Sequence, residues 1–173
     1  KAINFGLMYG MGDYGLSART NLTVPQAGEF IDAYFGRFRR VKEYLDETIR
    51  SAHELGYVET LLGRRRYFPE LKSSATNVQV RRAAERAAIN MPIQGTAADI
   101  MKLAMIALDR ALRVGGYASR MVLQVHDELV LEVPERELEV VQALAMATME
   151  NAYKLDVRLK VDAAVGKNWM EMK

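Results

Sequence analysis

Cysteine is absent from the 173 residues. That excludes a disulfide framework, thiolate-ligated zinc and cysteine nucleophiles, and it fits a reducing compartment. Histidine is scarce too: only His53 and His126 occur, too few for a histidine-built metal centre. No apolar run approaches the ~20 residues a membrane-spanning helix needs, and no secretory leader opens the chain. Internal repeats and low-complexity stretches are missing as well. What remains is a chain 50% hydrophobic and 27% charged. That is enough apolar material for a buried core and too much for a disordered polymer. The chain begins at Lys1, not Met, with residues that already read as helix, so a piece of a longer protein is expected.

The formal net charge is only +2, but it is unevenly spread. Residues 60–86 hold Arg64, Arg65, Arg66, Lys72, Arg81, Arg82 and Arg86 against Glu70 and Glu85, a local excess of +5. Residues 127–173 hold ten acids and six bases, a local −4. A basic middle beside an acidic end suggests a polyanionic partner. A solvated charged face is the plain alternative.

Periodicity and punctuation predict the elements. A first helix runs from Lys1 to about Tyr9, and Gly10, Gly12 and Gly15 then mark a turn. Thr23-Val24-Pro25-Gln26 has capping-box spacing with an early proline. The helix it opens carries Ala27, Phe30, Ile31, Tyr34, Phe35, Phe38, Val41, Leu45, Ile49 and Ala52 on one stripe, up to a stop at Gly56. Two short strands, Tyr57 to Leu62 and Arg65 to Phe68, flank a turn at Gly63. After a polar loop over 71–78, a helix from about Val78 to Asn90 is stopped by Pro92. Another opens at Thr96 and ends at Gly115-Gly116. Met121 to Val125 and Leu129 to Val133 form a β-hairpin with a charged tip. Pro134 opens a last helix to about Tyr153, and the alternation from Val157 to Val165 predicts a final strand. The order gives an α+β fold, mostly helical, with helices on one face of a small antiparallel sheet.

Three constellations could carry chemistry. Gln124-Val125-His126-Asp127-Glu128 sets two adjacent carboxylates at a hairpin tip. Solvation makes that tolerable, and so does a hard cation such as Mg²⁺, which takes oxygen ligands and keeps several waters. An ordinary acidic turn is the alternative. Lys1, Phe5 and Tyr9 share one helical face, a cation, a ring and a phenol suited to a phosphate, a base and a stacking contact. Gly6 beside them costs roughly 1 kcal/mol relative to Ala and permits close packing there. An aromatic stripe in a core is the commoner use of such spacing. Arg82, Arg86 and Asn90 share a third face, whose donors suit nucleic-acid backbones and minor-groove acceptors. Gln94, past Pro92, need not follow that face, and a solvated helix face is again the alternative.

In this order the signals become specific. Lys1-x-x-x-Phe5-Gly6-x-x-Tyr9-Gly10 resembles the finger-helix motif of family A DNA polymerases, and Gln124-Val125-His126-Asp127-Glu128 resembles that family's palm motif. Gly56-Tyr57-Val58-Glu59-Thr60, Gly63-Arg64-Arg65, Asn90-Met91-Pro92-Ile93-Gln94-Gly95-Thr96-Ala97-Ala98-Asp99 and Val165-Gly166-Lys167-Asn168-Trp169 are also similar to family sequence. The resemblance spans the whole chain.

The resemblance implies fingers helices over residues 1–56 and the second half of the palm over 57–173. It implies that Lys1 meets the phosphates of the incoming deoxynucleoside triphosphate, Phe5 its sugar and base, and Tyr9 the templating base. Arg86, Asn90 and Gln94 would touch primer and template, with His126 close to the primer terminus. Asp127 would be a metal ligand and, with Glu128 and Lys1, part of the catalytic set. The reaction would be attack of a primer 3′-hydroxyl on the nucleotide α-phosphate with two Mg²⁺ ions about 4 Å apart. The resemblance further implies a second palm aspartate in a motif N-terminal to the finger helix, for which this sequence has no residues. It implies a monomer in the bacterial cytoplasm, nucleoid-associated, serving replication and repair, with no membrane contact. A proline the family often carries near Arg39-Arg40-Val41 is absent. The reading from a different class is a nucleic-acid-binding module without catalysis.

Overall fold

The structure, a computed structural model, describes residues 2–172, Ala2 by its backbone alone. It divides into two compact units, Lys1–Thr96 and Ala97–Lys173.

The first unit is built from α1 (Ala2–Met8), α2 (Asp13–Ser17), α3 (Val24–Arg37), α4 (Arg39–Leu55), strands β1 (Tyr57–Glu59) and β2 (Arg65–Tyr67), α5 (Pro69–Lys72) and the first half of α6 (Val78–Val114). Gly15 lies inside α2, so the predicted turn is shorter than the glycines suggest. The capping box at Thr23 forms in full: its side chain accepts from Gln26 N–H, and the Gln26 side chain accepts from Thr23 N–H. The predicted single helix that follows is two. The break falls at Phe38 (φ −107°, ψ 55°), two residues past Gly36, with the Phe38 ring against Tyr34 at 4.9 Å. No proline is needed for it. Its stripe is only partly covered: Ala27, Leu45 and Ala52 are buried, whereas Phe30 and Phe38 are exposed. Gly56 ends α4 in the left-handed region at φ 81°, the conformation for which glycine is favoured. β1 and β2 pair antiparallel, Tyr57 opposite Tyr67 and Glu59 opposite Arg65. The core gathers Ala52, Val58, Phe68, Leu71, Ala84, Ala88 and Met91.

The largest departure from the sequence reading is α6. Pro92 stops nothing: the helix runs unbroken for 37 residues. An internal proline lacks the N–H that would reach the Ala88 carbonyl and crowds that carbonyl, at a cost of ~3 kcal/mol. Packing on both sides offsets this. Ala84, Ala88 and Met91 are buried before and beside it. Just past it, Thr96 is buried, and its Oγ1 accepts the Leu61 N–H at 3.0 Å.

The second unit holds the rest of α6, strands β3 (Arg120–Val125) and β4 (Glu128–Glu132), a 3₁₀ turn at Glu135–Glu137, α7 (Leu138–Glu150) and a second 3₁₀ turn at Trp169–Met172. α6 closes with a Schellman arrangement around Gly116 (φ 66°): Gly116 N–H bonds the Arg113 carbonyl at 3.1 Å and Tyr117 N–H the Leu112 carbonyl at 3.1 Å. β3 and β4 form the expected hairpin, with an irregularity between Met121 and Leu123. It packs Met121, Leu129 and Leu131 onto Leu108, Leu112 and Val141. The predicted strand over 157–165 does not form. Among the described residues each sheet has two strands, so this stretch has no ladder, and Val157 and Val165 stay exposed. Alternation predicts a pleat only where a neighbouring strand supplies the hydrogen bonds. No helix of the described residues is long and apolar enough to cross a membrane.

Candidate nucleotide and nucleic-acid site

Lys1 lies outside the described residues, but the other two members of its helical face behave as the spacing predicts. Leu7, 1% exposed, anchors α1. On another side of the helix the Phe5 ring is exposed and stacks with Tyr9, centroids 6.3 Å apart and planes 18° from parallel. This is not a core stripe, since half of the Phe5 surface (50%) remains accessible. A Cβ on Gly6 would collide with the Met11 side chain, which occupies the space the missing side chain leaves.

The end of α1 meets α6. Gly10 stands at φ 78°, and a Cβ there would lie 3.3 Å from Arg86 Cγ and 3.5 Å from Ile89 Cδ1. A single glycine therefore lets the chain just after α1 lie against the stem of Arg86. The sequence marks Gly10 only as the end of a helix. Its contact with a residue 76 positions later has no local signal.

Because α6 is continuous, Gln94 does follow the face of its neighbours. Arg82, Arg86, Asn90 and Gln94 form one row at four-residue steps along the helix. Arg82, Arg86 and Gln94 are exposed, and no carboxylate pairs with Arg82 or Arg86 among the described residues. Asn90 Oδ1 is buried with no hydrogen-bond partner. Such an orphan acceptor is costly unless a ligand or water donates to it. His53 Nε2 and Glu85 Oε1, 3.0 Å apart, tie α6 to α4 behind this row.

In the second unit, the hairpin tip is a two-residue turn. Val125 opposite Glu128 is the last pair, leaving His126 and Asp127 to reverse the chain. His126 takes φ 54°, the one non-glycine residue at positive φ among those described. A non-glycine residue held there costs ~1–3 kcal/mol, and such strain gathers at functional sites. Gln124 Nε2 donates to the His126 carbonyl at 2.7 Å, spanning the turn from β3. His126, Asp127 and Glu128 are all exposed. At the far end, Arg120 Nε and Nη2 donate to Glu132 Oε2 at 2.9 and 2.8 Å. There Glu137 accepts from Ser119 Oγ at 2.7 Å, Ser119 N–H at 3.1 Å and Ala118 N–H at 3.2 Å. The Ser119 hydroxyl bond, above all, holds the Glu137 carboxyl below the ordinary glutamate range. Desolvation opposes this, and the two backbone N–H groups reinforce it.

Asp127 and Glu128 offer hard oxygen donors of the kind Mg²⁺ takes. No group of three or more His, Cys, Asp or Glu that could hold a metal ion occurs among the described residues. The carboxylate pair therefore fits part of a magnesium coordination shell.

The model of DNA polymerase family A matches residues 1–171. DNA polymerase I of Streptococcus pneumoniae (strain ATCC BAA-334 / TIGR4) is 51% identical over 173 residues, all of this chain and 20% of the relative. DNA polymerase I of Mycobacterium tuberculosis (strain ATCC 25618 / H37Rv) is 53% identical over 169 residues, 98% of this chain and 18% of the relative. Among solved structures, the POL domain of Pol1 from M. smegmatis, in complex with DNA primer-template and dNTP, aligns with a TM-score of 0.93 at 48% identity. It covers 99% of this chain and 30% of that one. The chain thus spans about a fifth of the length of these curated relatives.

Proposed function

Since this chain belongs to DNA polymerase family A, we propose that it supplies the fingers helices (residues 1–56) and the second half of the palm (57–173) of a template-directed DNA polymerase. The observation that carries the reading is the hairpin tip: a strained His126 beside two exposed adjacent carboxylates, on a hairpin anchored in its own core. A turn of ordinary purpose has no need of that strain or that charge repulsion.

In this reading α1 receives the incoming deoxynucleoside triphosphate. Lys1 binds its phosphates, the exposed Phe5 ring lies against its sugar and base, and Tyr9 stacks toward the templating base. Arg86, Asn90 and Gln94 hold the primer–template. Their donors, facing minor-groove acceptors that every base pair presents at similar places, grip DNA without reading its sequence. His126 lies at the primer terminus. Asp127, with Glu128 beside it, holds Mg²⁺ together with a second aspartate from elsewhere in the polymerase. Mg²⁺ held by these carboxylates would supply charge stabilisation for the attacking and leaving oxygens. The bond formed joins the primer 3′-oxygen to the nucleotide α-phosphorus, and pyrophosphate leaves. The polymerase acts as a monomer in the bacterial cytoplasm, associated with the nucleoid, in replication and repair.

The rival reading, a nucleic-acid-binding module without catalysis, draws on the lack of a third metal ligand near Asp127 among the described residues. Primer extension by the polymerase that carries this chain separates the two. Extension is expected to stop on chelation with EDTA and return with Mg²⁺. DNA binding without any Mg²⁺-dependent extension would favour the rival.

A further inference from the structure

α1 carries the exposed Phe5–Tyr9 stack, yet among its described residues only Leu7 is buried. The orientation of the stack therefore depends on how the helix ends. It ends in a Schellman arrangement: Gly10 N–H bonds the Leu7 carbonyl at 3.1 Å, and Met11 N–H bonds the Gly6 carbonyl at 2.8 Å. In such a cap the residue after the left-handed glycine commonly packs on the side chain of the residue whose carbonyl it bonds. Here that residue is Gly6, which has none. The Met11 thioether lies in the vacant space instead: a Cβ on Gly6 would stand 2.9 Å from Met11 Sδ and closer still to its methyl.

The same side chain meets α2. A Cβ on Gly15 would stand 2.8 Å from Met11 Cγ. Gly15 lies inside α2 and is not among the glycines at positive φ. The backbone there does not require glycine, and alanine is the better helix former. The space taken by Met11 accounts for the missing side chain. Arg19 Nη1, just past α2, lies 3.9 Å from Met11 Sδ, a weak acceptor. α2 is itself anchored: Leu16 is buried, and Ser17 Oγ donates to the Leu22 carbonyl at 2.8 Å. An unbranched, polarisable thioether suits a slot of this irregular shape. Gly6 and Gly15 thus share one occupant, which joins the end of α1 to a fixed neighbour.

We propose that Met11 is a positioning residue for nucleotide addition: its thioether, seated between Gly6 and Gly15, fixes α1 against α2 and so holds the Phe5–Tyr9 stack in the orientation that receives the incoming nucleotide, a role that rests on the reading of that face given above.

In the intact polymerase, Met11→Ala, Met11→Leu, Gly15→Ala and the double variant Met11→Ala with Gly15→Ala are compared with wild type. Single-nucleotide incorporation and primer–template affinity are measured at a temperature where thermal melts show each variant folded. Misplacing a reacting group by 1 Å can cost about 10²-fold, so a smaller tilt of α1 is expected to lower kcat/KM for the nucleotide about tenfold in Met11→Ala. Primer–template affinity is expected to stay at the wild-type value. Met11→Leu keeps most of the volume and is expected to restore most of the loss. Gly15→Ala displaces the thioether and is expected to reproduce the loss, which keeps the test decisive should Met11→Ala not fold. In the double variant the new Cβ finds the room Met11 Cγ held, so its loss is expected to be no greater than that of Met11→Ala alone, the non-additivity of residues in contact. Wild-type kcat/KM in Gly15→Ala overturns the proposal, as do losses that multiply in the double variant or that fall on primer–template affinity instead. Phe5→Ala in the same assay tests the underlying reading separately: an unchanged nucleotide KM there overturns that reading.

Discussion

Gly10→Ala is the substitution whose consequences can be worked most fully from the structure. Two effects add. The first is conformational: Gly10 stands at φ 78°, where a Cβ costs ~1–2 kcal/mol. The second is positional: the new Cβ would stand 3.3 Å from Arg86 Cγ, so the arginine stem must shift by a few tenths of an ångström. Gly116→Ala isolates the first effect. It carries the same left-handed strain at φ 66°, and its Cβ would meet nothing within 4 Å. In the intact polymerase both variants are expected to lower the thermal unfolding midpoint of the unit that carries them. Only Gly10→Ala is expected to weaken primer–template binding and slow extension, because only it displaces Arg86. Thermal melts paired with fluorescence titration of primer–template make the comparison. Equal DNA affinity in the two variants would refute the idea that the end of α1 positions Arg86.

Three further outcomes follow from other parts of the molecule. Phe5→Tyr is expected to raise relative use of dideoxynucleotides by at least about tenfold. A phenol can donate the bond to nucleotide phosphate that the missing 3′-hydroxyl cannot, and such a bond is worth about 1.5–3 kcal/mol. The ratio of kcat/KM for the two nucleotides in each enzyme checks it, and an unchanged ratio would remove Phe5 from the sugar. The 173-residue chain incubated alone with primer–template, nucleotides and Mg²⁺ is expected not to extend, since Asp127 and Glu128 by themselves cannot hold two ions. Extension free of contaminating polymerase would show that the second aspartate is dispensable. Finally, the lowered pKa of Glu137 contributes stability that is present above the ordinary glutamate range and is lost as pH falls through the lowered value. Ser119→Ala removes the largest cause, so acid unfolding of this unit is expected to begin at a higher pH. An acid transition at the wild-type pH would count against that hydrogen bond.

Much of the fold was legible because local chemistry decides it. The Thr23 capping box, the left-handed stop at Gly56, the Gly116 cap and the hairpin around His126 all depend on residues within a few positions of one another. The misses share a different cause. Pro92 breaks a helix by local rules, yet burial of Ala88 and Met91 and the Leu61 bond to Thr96 carry α6 through it. The 157–165 alternation reads as a strand, but a strand exists only with a neighbour. The site divides the same way. The Phe5–Tyr9 stack follows from helical spacing, whereas the approach of Gly10 to Arg86 is tertiary and leaves no periodic trace. Continuity of α6 also aligns Gln94 with Arg86 and Asn90, which the expected break had left open.

The central claim is that Asp127 carries a metal-dependent nucleotidyl transfer. Asp127→Asn in the intact polymerase tests it most directly, since it removes one ligand charge at nearly constant volume from an exposed turn that packs no core. Single-turnover extension and primer–template affinity are measured on the same preparation. The account predicts that turnover falls by about 10²-fold or more, the scale set by losing a charge-stabilising group at a reacting centre, while DNA affinity stays at the wild-type value. Near-normal turnover with the asparagine in place would contradict it.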